Sequence, residues 1–259
     1  MSVLDRFRLT GRTAFVTGGS RGLGRAMAQS LAEAGANLIL IGREAETLQH
    51  AQTELVKLGV RVDTVQADLS TPEGAVTACD RALSLGMPVD ILVNNVGGRR
   101  VNVPTEEFSI TEWNALFNLN LTSALVCAQE LGKPMLARGR GSIVNITSIA
   151  GPIAMKGIRG RHYETAKAAL GALTRSLAAD WANRGVRVNA IAPGVFETAP
   201  NSKWFAAMPE FRQTFLDHIP MDRFGQPEEL GPAVVFLASD ASSYMTGATL
   251  TIDGGFTCW

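Results

Sequence analysis

An excess of charge of one sign is missing from this sequence: 24 basic side chains meet 24 acidic ones across 259 residues, for a formal net charge of zero. That balance removes the general electrostatic pull toward nucleic acid or an anionic membrane surface. No basic stripe or recognition module is present either, so no nucleic-acid partner is expected. Long hydrophobic runs are absent too; none approaches the roughly 20 apolar residues that cross a bilayer, so no membrane partner is expected. The opening stretch "MSVLDRFRLTGR" carries charges where a leader peptide would be apolar. Cysteine is scarce: Cys79, Cys127 and Cys258 follow no metal-ligand spacing and leave one unpaired in any disulfide scheme. A reducing, cytoplasmic location without a bound metal is the expectation. Tyrosine is scarcer still. Of only two, Tyr163 stands four residues ahead of Lys167 in the run "RHYETAKAAL".

What is present is a regular alternation. "TAFVTG", "NLILIG", "VRVDTVQAD", "VDILVNN", "GSIVNITS", "VRVNAIAPG" and "ATLTID" read as strands, and longer amphipathic runs between them read as helices. The helix opening at "STPEGAV" can be capped by Ser70 or Thr71, with Pro72 suited to its first turn. Two long helices are expected across 111–137 and 162–184. Most strands are nearly continuous in apolar residues, as when helices cover both faces of a parallel sheet. The alternation predicts one doubly wound α/β domain over 1–259, with a parallel sheet of about seven strands and helices on both faces. One departure stands out, the aromatic and weakly periodic stretch at about 195–226. Following a strand's carboxyl end, it is expected to be a substrate lid.

"TGGSRGLG", residues 17–24, links the first strand to the first helix. Gly18 permits the tight turn, Gly22 lets backbone approach a pyrophosphate, and Gly24 allows close helix–sheet contact, with Ser20, Arg21 and Leu23 between them. The helix N-terminus offers N–H groups to phosphate. At the end of the second strand, "LILIGRE", Gly42 stands where an acid would grip a ribose 2′-hydroxyl, and Arg43 follows. Arg21 and Arg43, two guanidiniums with no acid between them, favour a 2′-phosphate, hence NADP(H) over NAD(H). Asp68, beside Leu69 at the end of the third strand, can accept from an adenine amino group or cap a helix.

On a helix Tyr163 and Lys167 share one face, with Cβ atoms about 5–6 Å apart. A free phenol has a pKa of about 10, and lowering it by roughly 3 units takes about 4 kcal/mol of preferential stabilisation of the anion. A neighbouring ammonium supplies part of that.

Together "TGGSRGLG", "NNVG" (94–97), Ser148, Tyr163-x-x-x-Lys167 and "PGVFET" (193–198) resemble the short-chain dehydrogenases/reductases, over essentially the whole chain. The C-terminal portion looks like that of gluconate and related polyol dehydrogenases, and also like that of 3-oxoacyl thioester reductases. The resemblance implies a Rossmann-type carbonyl reductase or alcohol dehydrogenase, with hydride transfer between a secondary alcohol or ketone and the dinucleotide. It implies Tyr163 as general acid/base, Lys167 as its electrostatic partner and a ligand of the nicotinamide ribose, and Ser148 as donor to the substrate oxygen. Asn120, rather than Asn118, matches the asparagine that holds a water in a proton relay. Asn95 and Gly97 match the loop on the adenine-ribose side, and Pro193, Gly194, Val195 and Thr198 the turn at the nicotinamide carboxamide. Family members are commonly homotetramers joined through the two long helices.

The fifteen residues from Ser148 to Tyr163 exceed the family's usual spacing, and the intervening segment borders the substrate. Arg99, Arg100, Arg159, Arg161 and His162 converge by sequence on that mouth, which favours an anionic small molecule such as a sugar acid. Trp204, with Phe205, Phe211 and Phe215, can roof the substrate or pack the lid onto the domain. The substrate stays open between a sugar acid or polyol and an acyl thioester. A dinucleotide-sensing protein without turnover is the alternative of another class.

Overall fold

The structure is a computed structural model that describes residues 2–98, 103–154, 159 and 161–258. Each apolar run forms a strand: β1 (Thr13–Thr17), β2 (Asn37–Gly42), β3 (Val62–Gln66), β4 (Ile91–Asn94), β5 (Gly141–Ile146), β6 (Val186–Pro193) and β7 (Thr249–Ile252). All pairings are parallel, in the order β3-β2-β1-β4-β5-β6-β7. The helices are α1 (Gly22–Glu33), α2 (Ala45–Leu55), α3 (Pro72–Ser84), α4 (Ile110–Phe117), α5 (Ser123–Arg138), α6 (Arg161–Trp181), α7 (Ala199–Ala207), α8 (Pro209–Leu216) and α9 (Gly231–Ala238).

Side chains alternate across a strand, and both faces here are apolar. In β1, Ala14 and Val16 join one core with Met27 and Leu31 of α1, Leu48 of α2 and Val234 of α9. Phe15, between them, joins a second core with Ala78 of α3, Leu131 of α5 and Leu177 of α6. The free thiols of Cys79 and Cys127 are buried in that second core, and Cys258 is exposed. Of the two candidate caps for α3, the structure uses Thr71, whose Oγ1 accepts from the Gly74 N–H at 3.1 Å, with Pro72 as first residue.

Two elements depart from the sequence pattern. The helix expected across 111–137 is interrupted by a π-helical turn at Asn118–Thr122, between α4 and α5. The stretch at 195–226 is not an open loop: it contains α7 and α8, which close over a third core of Ile149, Phe205, Phe215, Ile219, Phe224 and Phe256. Among the described residues, no helix is long and apolar enough to cross a membrane. No group of three or more His, Cys, Asp or Glu there could hold a metal ion.

The strand order decides where a site can form. From β1 the chain steps outward through β2 to β3, then returns to place β4 on the other side of β1. The connections leaving β1 and β4 therefore diverge, opening a crevice at their carboxyl ends.

Candidate active site

One cleft of about 830 Å³ runs along the carboxyl ends of the strands. The glycine turn forms one wall: Gly18, Ser20, Arg21, Gly22, Leu23 and Gly24 all line it. No side chain caps α1 at Arg21, so the first-turn N–H groups stay available to an anion beside the positive end of the helix dipole. A Cβ on Gly24 would collide with the Gly18 carbonyl and the Asn95 side chain, so the turn closes this tightly only with glycine. An uncapped helix start under a collapsed glycine turn fits a dinucleotide's pyrophosphate.

At the outer end, Ser20, Arg21, Arg43, Glu44 and Thr47 line the cleft. Here one expectation needs correcting. An acid does stand beside Arg21: Glu44 Oε1 lies 3.3 Å from Arg21 Nη1, with both side chains largely exposed. The signal was visible in "LILIGRE", but the acid follows Arg43 instead of occupying the strand end, where Gly42 packs near Ser20 and Leu48. Arg43 forms no ion pair among the described residues. Asp68 and Leu69 line the same end. Asp68 Oδ1 accepts from the Ser70 N–H at 3.0 Å, so at least this oxygen fastens the turn before α3.

Asn95 and Gly97 also line the cleft. Asn95 Nδ2 donates to the Thr17 carbonyl at 2.9 Å, and the Asn95 and Val96 N–H groups donate to Thr17 Oγ1 at 2.8 and 3.0 Å. Asn95 thus ties the connection after β4 to the end of β1. Gly97 sits beside Asn120 and Lys167. A Cβ there would stand 2.7 Å from Asn120 Oδ1 and 2.9 Å from Lys167 Nζ. The cause is topological: β4 leads directly toward the helices that carry both residues.

Tyr163 and Lys167 occupy one face of α6 and both line the cleft. Lys167 Nζ lies 5.9 Å from the Tyr163 ring centroid and donates to the Ile146 carbonyl at 2.8 Å. Lys167 is almost fully buried, and burial pushes its ammonium down from the ordinary lysine range to about 8. Ser148, just past β5, faces the same space; its Oγ accepts from the Ala150 N–H at 3.1 Å, which leaves its own hydrogen free to donate.

Asn120 is buried within the π-helical turn, whereas Asn118 stays partly exposed. Its Nδ2 donates to the carbonyls of Leu116 and Gly98 at 3.0 and 3.2 Å, and its Oδ1 accepts from the Gly98 N–H at 3.0 Å. The extra residue in a π turn rotates a side chain off the regular helical stripe, and Asn120 uses that rotation to clasp the loop after β4. It is not itself a lining residue of the cleft.

Pro193, Gly194, Val195 and Thr198 line the cleft opposite α6. The Gly194 N–H donates to Ile252 at 2.9 Å, and Thr198 Oγ1 accepts from the Asn201 N–H at 3.5 Å as the cap of α7. Beyond Ser148, the wall is apolar: Ile149, Ala150, Trp204, Phe205 and Phe215. Trp204 is half-buried on this wall, while Phe205 and Phe215 are buried and also belong to the third core. Phe211 packs on Trp204 at 5.9 Å between ring centroids.

Only part of the arginine cluster falls on described residues, and that part lines a cavity other than the cleft. Arg99 and Arg100 lie outside the described residues. Arg159 and Arg161 line a separate cavity of about 260 Å³ with Pro104, Thr105 and Glu106. Arg161 Nη1 lies 2.8 and 2.9 Å from the two carboxylate oxygens of Glu164. His162 is buried, stacked on Phe108 with ring centroids 3.7 Å apart. The reason is helical: α6 begins at Arg161, so side chains 161, 162 and 164 fan around the axis away from the face shared by 163 and 167.

Comparison with known proteins agrees with this architecture. A family described as enoyl-(acyl carrier protein) reductase matches residues 18–257. Galactitol 2-dehydrogenase (L-tagatose-forming) from Cereibacter sphaeroides is 42% identical over 254 residues, 98% of each chain. Gluconate 5-dehydrogenase from Gluconobacter oxydans is 39% identical, over 99% of each chain. A solved gluconate 5-dehydrogenase from Burkholderia cenocepacia J2315, in complex with NADP and tartrate, superposes with a TM-score of 0.92 at 37% identity, covering 100% of both chains.

Proposed function

Since this chain belongs to the short-chain dehydrogenase/reductase family, an oxidoreductase family, we propose that it interconverts a secondary alcohol and a ketone on a polyhydroxylated small molecule, with NADP(H) as its dinucleotide. The observation that carries this reading is the placement of Ser148, Tyr163 and Lys167 on one cleft with the uncapped start of α1. The glycine turn and α1 would hold the pyrophosphate, Arg21 and Arg43 a 2′-phosphate, and Lys167 the nicotinamide ribose. When bound, the nicotinamide accepts or donates the hydride.

The protein's own part is the proton. Ser148 donates its free hydroxyl hydrogen to the substrate oxygen and fixes the carbinol in the cleft. Tyr163 Oη takes the hydroxyl proton in oxidation and returns one in reduction. Lys167 stabilises the phenolate, and its burial leaves that charge little screened by water. Asn120 holds Gly97 and Gly98 against Lys167, and with it keeps the ammonium in register.

Among the described lining residues of the substrate end, Lys167 is the sole charged side chain, and the wall beyond Ser148 is apolar and aromatic. A neutral polyol suits such a wall better than a sugar acid, since its C–H faces can lie on Trp204 while its hydroxyls meet Ser148 and Tyr163. The same apolar wall supports a second reading, reduction of a 3-oxoacyl thioester. The homotetramer is kept as part of the proposal, through α5 and α6, which pack on one sheet face.

The test is dinucleotide turnover with three sets of substrates: polyols, sugar acids and 3-oxoacyl thioesters. Polyols should give the highest kcat/KM. Tyr163→Phe should lower it by roughly 100- to 10,000-fold while leaving NADPH affinity within about twofold. Full activity in that variant would falsify the assignment. NADPH binding without turnover on any set would leave a dinucleotide sensor instead.

A further inference from the structure

The outer end of the cleft carries an internal conflict that bears on cofactor choice. Two guanidiniums, Arg21 and Arg43, favour a doubly charged 2′-phosphate, yet Glu44 lines the same wall and is ion-paired with Arg21. Its carboxylate is not consumed elsewhere: Glu44 begins α2 without a side-chain cap on that helix, and both partners of the pair are largely exposed. Its backbone is fixed, because the Glu44 carbonyl accepts from Thr47 Oγ1 at 3.0 Å and from the Leu48 N–H at 3.1 Å. Thr47 in turn reaches Ser20 of the glycine turn, Oγ1 to Oγ at 3.5 Å. Glu44 is therefore held beside Arg21, the residue assigned above to a 2′-phosphate.

We infer that Glu44 is the specificity-determining residue for the dinucleotide's 2′ position. It holds Arg21 in an ion pair that a 2′-phosphate must break, and it accepts a hydrogen bond from a bare 2′-hydroxyl. The physical argument is competition. An exposed ion pair is weak, so the pair opens readily when a stronger anion arrives. The phosphate then gains Arg21 but faces the carboxylate it displaced, a like-charge contact that its two arginines alone would not predict. A 2′-hydroxyl meets no such repulsion and finds an acceptor. Glu44 thus restores, from the residue after Arg43, the discrimination that Gly42 omits at the strand end. The consequence is a protein that accepts both dinucleotides, with its preference for NADP(H) held down by one carboxylate.

This inference rests on the proposed dinucleotide site, and binding measurements separate the two. Dissociation constants for NADPH and NADH are measured by quenching of tryptophan fluorescence, on the wild-type protein, Glu44→Gln, Arg21→Gln and the double variant. Glu44→Gln should tighten NADPH by about tenfold and leave NADH unchanged or weaker. In the Arg21→Gln background the same change should tighten NADPH clearly less, because the arginine it releases is gone. A ratio of NADPH to NADH affinity that stays within twofold of wild type in Glu44→Gln overturns the inference while leaving the dinucleotide site standing. An equal gain in both backgrounds overturns the role given to the Arg21 pair. Failure of the wild-type protein to bind either dinucleotide overturns both the proposed function and the inference that depends on it.

Discussion

Replacing Lys167 by methionine should remove catalysis and yet stabilise the empty protein near neutral pH. Methionine keeps the unbranched apolar stem and deletes the buried ammonium. Burial lowers that group from the ordinary lysine value to about 8, so keeping it charged inside the fold costs roughly 3 kcal/mol near pH 7. Against this stands the hydrogen bond to the Ile146 carbonyl at 2.8 Å, whose loss costs about 1–2 kcal/mol. The net gain for Lys167→Met is then about 1–2 kcal/mol near pH 7.

The dependence on pH is the sharper test. The folded pKa lies below the unfolded one, so below about pH 8 both states hold the proton and the cost is constant. Between about 8 and 10.5 the unfolded chain keeps a proton that the fold has released, and wild-type stability rises with pH relative to the variant. The advantage of methionine should therefore shrink by about 2 kcal/mol between pH 7 and pH 9.5, vanishing or reversing. Urea unfolding of both proteins, free of nucleotide and at one protein concentration, measures this directly. Parallel stability curves across that interval, or an advantage that grows with pH, would refute the reasoning that the buried cation is the strained group of this site.

Gly97→Ala should lower kcat by about 100-fold with a small effect on stability, because the added methyl displaces Lys167 Nζ and Asn120 Oδ1 and not core atoms; steady-state kinetics beside thermal melting checks it. Trp204→Ala should raise KM for the alcohol substrate about tenfold, leaving kcat within about threefold, since the indole lines the wall and offers apolar contact but no group that moves the substrate's proton. Equal losses in kcat and kcat/KM would contradict that. Arg43→Asp should shift the preference from NADPH toward NADH by about 100-fold or more, read as the ratio of dissociation constants. An unchanged ratio removes Arg43 from the phosphate site.

The strands and most helices were legible because their signals are local. Continuous apolar runs, a capping Ser70 or Thr71 ahead of Pro72 and glycines between strand and helix act over a few residues. The π-helical turn at 118–122 was not legible, since "WNALFNLNLTSAL" has unbroken helical periodicity and the turn serves contacts of Asn120 with a distant loop. The aromatics of 195–226 could roof the substrate or pack their segment onto the domain; only packing shows Phe205 and Phe215 doing both, lining the cleft with Trp204 while joining a core with Phe224 and Phe256. The arginines before Tyr163 seemed convergent because adjacency in sequence was taken for adjacency in space. Arg159 and Arg161 instead share a cavity apart from the cleft, and Glu164 takes Arg161.

By itself, then, the chain's order of residues determined the alternating elements, the glycine turn and the pairing of Tyr163 with Lys167 on one helical face. These depend on backbone preference and a period of 3.6 residues, which neighbours in the chain dictate. Tertiary structure alone decided that Glu44 reaches Arg21, that Gly97 fits between Asn120 and Lys167, and that the ammonium is buried deeply enough to be a weakened base. Those relations join residues from separate β-α units, and the parallel sheet's strand order, with its reversal between β1 and β4, brings them to one edge.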